Sequence, residues 1–108
     1  MELTTITSEI HDAAQRLGKG IDTLFTLAKS SAETEQAYRS ALGREIVKLK
    51  LEGQSATLIP DIARGSTSEL KFARDLAEAR YTSGRDSIKA IMAQVNALQS
   101  ILRHQTDI

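Results

Sequence analysis

The second half of the chain has the more regular pattern. From Tyr81 the inward candidates run Gly84, Ile88, Ile91, Val95, Leu98 and Leu102, spaced alternately three and four apart. That spacing is a coiled-coil seam: one face recurs every seven residues, and β-branched Ile88, Ile91 and Val95 suit knobs-into-holes packing. A shallower stripe of Phe72, Leu76, Ala79, Ala90, Ala93, Ala97 and Ile101 lies beside it. One partner helix would leave that stripe wet, so the helix is expected to meet more than one neighbour. Its start is marked by Ser66-Thr67-Ser68-Glu69, in which Ser66 as N-cap and Glu69 three residues on form a capping box.

The first half is helical but less regular, with Leu3, Ile6, Ile10, Ala14, Leu17, Ile21, Leu24 and Ala28, then Tyr38, Leu42, Ile46 and Leu49, on one side. The stripe shifts near Ser30-Ser31, and Thr7 or Ser8 is the candidate start. Gly18 and Gly20 each cost a helix interior about 1 kcal/mol against Ala. They mark a break or a close helix crossing, and the crossing is preferred. Gly53 after Lys48, Lys50 and Glu52 reads as a C-terminal cap.

Between the helices, Gln54 to Gly65 is too apolar for a flexible linker. Leu58, Ile59 and Ile62 call for burial, and Pro60 suits the first turn of a short helix at Pro60–Ala63. The expected fold is therefore all-α: an antiparallel hairpin of two long, coiled-coil-like helices assembling into an oligomeric helical bundle. A single unit covers 1–108, with a first helix at about 5–52, a folded tip at 53–65 and a second helix at 66–105. The oligomer seam is expected at Tyr81, Ile88, Ile91, Val95, Leu98 and Leu102.

Composition narrows the function. The chain has no cysteine, so it has no disulfide scaffold, thiol nucleophile or cysteine-based metal site. No run of eighteen apolar residues and no basic-then-apolar start is present, which points to a soluble cytoplasmic product. His11 and His104 stand alone, without the spacing that puts two ligands on one helical face, so no metal is expected. The glycines fit neither a phosphate loop nor a dinucleotide fingerprint, and no serine lies in a nucleophile turn. No catalytic residue, cofactor or enzymatic activity is expected.

Fourteen basic and fourteen acidic residues cancel overall, yet Arg39 to Lys89 holds ten basic against seven acidic. Arg39, Arg44, Lys48, Lys50, Arg64, Lys71 and Arg74 form a candidate collar near the tip. Its candidate nucleic-acid contacts are Arg44, Lys48, Lys50, Lys71 and Arg74. The competing reading is a solvated helix face of mixed charge, which the alternating signs favour. A helix-turn-helix reading of Ile46–Leu70 is thin, because Pro60 interrupts its first helix. The tip residues Leu58, Ile59, Pro60, Ile62 and Arg64 either fold back onto the helix ends or remain outside as a docking patch.

The block Ala37–Gly65, continued by Glu69–Tyr81, carries a helix, an apolar Ala-Thr-Leu-Ile-x-Asp tip and a second helix. In this it resembles small uncharacterised helical proteins of tailed bacteriophages and prophages. The resemblance implies a bacterial host cytoplasm and transfers no catalytic residues. Together these readings favour a non-enzymatic protein–protein interaction or scaffold protein. Its partners would be itself and a host or phage protein, with no membrane. The alternative is a nucleic-acid-associated accessory factor.

Overall fold

A computed structural model describes residues 2–106. It is all-α, with α1 at Leu3–Leu51, α2 at Ile59–Ser66 and α3 at Ser68–Thr106, and no strand among the described residues. α1 runs unbroken through Gly18, Gly20 and Ser30-Ser31. Thr7, Thr23, Thr26 and Thr34 each donate to the carbonyl four residues back, so these hydroxyls are satisfied without leaving the helix. Thr7 and Ser8 are thus not caps. The helix begins at Leu3, whose carbonyl accepts the Thr7 hydroxyl at 2.8 Å.

Gly53 ends α1. Its φ of +80° is the left-handed conformation that glycine adopts without a Cβ penalty. The Gly53 N–H donates to the Lys50 carbonyl and the Gln54 N–H to the Leu49 carbonyl, both at 3.1 Å, which is the Schellman arrangement. α2 starts on Ile59 with Pro60 in its first turn, where a missing N–H costs nothing. It extends past Ala63 to Ser66, and that extension removes the expected capping box. Ser66 lies inside a helix rather than before one, and its hydroxyl donates back to the Ile62 carbonyl at 2.8 Å. Buried Thr67 makes the junction: its hydroxyl donates to the Ala63 carbonyl at 2.7 Å, and its own carbonyl accepts the Lys71 N–H at 3.0 Å.

The chain divides into two compact units, Met1–Thr26 with Thr82–Ile108, and Leu27–Tyr81. In the first unit, α1 and α3 pack antiparallel: Arg16 Nη2 donates to Gln94 Oε1 at 2.7 Å, and Gly20 lies against Ile88. Ile6, Ala13 and Leu98 are buried, while Ile10, Leu17, Gly20 and Leu24 face inward in part, as do Gly84, Ile88, Ile91, Val95 and Leu102. The inward α1 positions are thus 6, 10, 13, 17, 20 and 24. This corrects the phase read from the sequence, because Leu3, Ala14 and Ile21 are exposed. One residue is about 100° of helix, so seating Ala13 and Gly20 in the seam turns Ala14 and Ile21 out of it.

In the second unit, Leu49, Ile59 and Ala63 form a buried cluster, with Leu42 and Ile46 packed against it. α2 is therefore held on the C-terminal end of α1 by side chains from one face of each. Tyr38 and Ala77 are buried as well.

Gly20 sits where a Cβ would meet Ile88 Cδ1 at 2.8 Å, whereas a Cβ on Gly43 would meet nothing within 4 Å. Gly43→Ala is expected to gain about 1 kcal/mol from helix propensity alone. Gly20→Ala should gain less, since the Ile88 methyl must rotate away, and Gly20→Leu should destabilise. Urea unfolding of the three variants checks this, and equal gains for both alanines would show that the approach at Gly20 imposes no constraint.

Candidate interaction surfaces

The described residues hold no group of three or more side chains able to share a metal ion. His11 and His104 are both exposed. The surfaces that remain are apolar faces and charges.

The α3 seam is occupied within the chain. Leu98 is buried, and Tyr81, Ile88, Ile91, Val95 and Leu102 are half-buried, with Ile88 on Gly20 of α1. In the first unit, part of this seam turns toward α1 of the same chain. The neighbouring stripe stays outside. Phe72 is 68% exposed, and Leu76, Ala79, Ala90, Ala93, Ala97 and Ile101 are exposed too. A further exposed face was missed in the sequence reading. Ala14, Gly18, Ile21 and Phe25 line α1 of the first unit, with Phe25 75% exposed. Its signal in the sequence is four positions spaced four, three and four, two of which, Ala14 and Ile21, also fit the stripe expected to be buried.

The tip residues divide. Ile59 is 6% exposed and belongs to the cluster with Leu49, whereas Leu58 is 52% exposed and Pro60, Ile62 and Arg64 also face outward. Arg64 Nη1 pairs with Asp61 at 3.2 Å, across one turn of α2. Lys50 is exposed.

The basic collar is partly neutralised. Arg39 pairs with Glu35 on its own helix. Arg74 has several partners: its Nη2 lies 2.9 Å from Asp75 Oδ1, its Nε lies 3.5 Å from Glu35 Oε2 on α1, and its guanidinium sits 4.6 Å over the Tyr38 ring. The hydrogen bond to Asp75 holds Arg74 above the ordinary arginine range, against desolvation and with help from Glu35 and Tyr38. Arg74 thus ties α3 to α1 rather than standing ready for phosphate. Arg44, Lys48, Lys50 and Lys71 are exposed and make no ion pair among the described residues. Arg44 and Lys48 flank a shallow apolar depression on α1 floored by Gly43, Val47 and Leu51.

No family model, curated protein or solved structure matches this chain.

Ile59→Ser is expected to cost about 2–5 kcal/mol, as other large-to-small core replacements do. Leu58→Ser should stay within about 0.5 kcal/mol. Thermal melting separates them, and equal losses would place Leu58 in the core. Arg74→Ala removes a stacked cation and its ion pairs and is expected to lower stability. Denaturant titration should show that loss, with Arg74→Lys restoring only part of it because an ammonium lacks the planar fork.

Proposed function

We propose that the chain is a non-enzymatic helical hairpin that self-associates into a bundle and serves as a scaffold for another protein, in a bacteriophage or prophage setting. The observation that carries this reading is the apolar surface left outside. Phe25, Phe72, Leu51 and Val47 are all more than half exposed, while the largest fully buried side chain is Ile6. Two helices can bury one stripe on each, and the stripes that remain call for additional helices. At the tip, exposed Leu58 and Ile62 beside Lys50 and Arg64 form the candidate surface for a host or phage protein. No described helix is long and apolar enough to cross a membrane.

A second reading, a nucleic-acid accessory factor, rests on exposed Arg44, Lys48, Lys50 and Lys71. The engagement of Arg39, Arg64 and Arg74 with carboxylates weakens it.

Sedimentation at tens of micromolar is expected to show a dimer or larger assembly. A monodisperse monomer with cooperative melting would overturn the self-association. The second reading requires a mobility shift with DNA or RNA that weakens steeply from low to physiological salt, with a shallower slope in Lys48→Gln.

A further inference from the structure

We propose that the α1 face formed by Ala14, Gly18, Ile21 and Phe25 is the site at which a second copy of this chain docks, antiparallel, about a two-fold axis passing between Lys19 and Gly20. The proposal rests on the self-association above and names its surface.

Each residue of this face is the one that follows a seam residue: Ala13, Leu17, Gly20 and Leu24 point inward, and Ala14, Gly18, Ile21 and Phe25 come about 100° further round. α1 therefore carries a second heptad-spaced stripe that the first unit does not use. Its members are exposed, Ile21 and Phe25 by 54% and 75%. Gly18 has nothing within 4 Å of where a Cβ would lie, so, unlike Gly20, no close approach within the chain accounts for a residue costing a helix about 1 kcal/mol.

The order of sizes selects the occupant. A two-fold contact must be complementary to itself, so that residue i meets j and j meets i. Turned antiparallel about the stated axis, the stripe sets Phe25 opposite the second copy's Ala14, and Ile21 opposite its Gly18, with both contacts repeated by symmetry. Large side chains meet small ones at all four places. A parallel pairing would set Phe25 against Phe25 and Gly18 against Gly18, too crowded at one level and hollow at the other. It would also bring Asp22 to Asp22 and Lys19 to Lys19.

Charge agrees with the antiparallel choice. Lys19 and Asp22 are exposed, Asp22 flanking the stripe and Lys19 about 60° further round the helix. In the antiparallel dimer Lys19 of each copy comes within two residues of register with Asp22 of the other, about 3 Å along the axis, a distance a lysine stem spans. Two reciprocal ion pairs result. The other exposed α1 face, around Val47, fails the same criterion, because folding it on itself brings Arg44 against Lys48.

Sedimentation equilibrium of the full chain and its variants tests the proposal. Phe25→Glu is expected to weaken association at least tenfold while helical content and melting of the dilute monomer stay unchanged, since Phe25 adds little to the chain's own core. Asp22→Lys should weaken association several-fold, and the double variant Lys19→Asp with Asp22→Lys should restore it, because reversal regenerates both pairs. If Phe25→Glu associates as the wild type does while Phe72→Glu dissociates, self-association stands and this face is wrong. Failure of the double variant to recover overturns the antiparallel register. A monomeric wild type overturns both the face and the self-association.

Discussion

The contact of Gly20 with Ile88 sets the phase of the first unit. A helix is rigid enough that fixing one residue against a neighbour fixes the direction of every residue within a few turns. With Gly20 inward, Ala13, Leu17 and Leu24 follow inward, and Ala14, Gly18, Ile21 and Phe25 are committed to the outside. The absence of a side chain at Gly20 thus decides where the large ones go. The helix propensity lost there is small beside the packing that a close approach allows.

The second unit is organised differently. Its apolar cluster sits where α2 folds against α1, and Arg74 makes a long-range polar link by reaching Glu35 and Tyr38. A charged residue at an inward position stabilises only when its charge is compensated, and here two hydrogen bonds to Asp75, an ion pair with Glu35 and the Tyr38 ring compensate it. Such a polar layer in an otherwise apolar seam is also a register mark, because sliding α1 by one turn would separate Arg74 from Glu35.

How much of this was legible depended on what each residue type reveals. The α3 seam stood out because Ile88, Ile91, Val95, Leu98 and Leu102 are large and regularly spaced. The α1 phase was obscured because the deciding residues are Ala13, Ala14, Gly18 and Gly20, which hydrophobic patterning barely distinguishes. Gly53 was legible as a helix end, since a glycine after a basic last turn is a common C-terminal cap, and the structure places it in the left-handed conformation such a cap uses. Ser66 was misread because a Ser-Thr-Ser run offers three hydroxyls, and only the extent of α2 decides which bond forward and which bond back. The opposite fates of Leu58 and Ile59 follow from where α2 starts its turn, and two of Arg74's partners, Glu35 and Tyr38, lie on a helix far away in sequence.

The left-handed turn at Gly53 closes α1 with bonds drawn entirely from α1 and its next three residues. The following bonds, from the Leu58 and Ile59 N–H groups to the Ser55 carbonyl, belong to the approach to α2. Between Gln54 and Ser55 the backbone is therefore a junction that none of these hydrogen bonds crosses, exposed on both sides. Lengthening a flexible connection costs only about 0.6 kcal/mol per doubling. This point consequently suits grafted epitopes, fused domains or new chain ends, none of which would disturb the helix end before it or the turn after it.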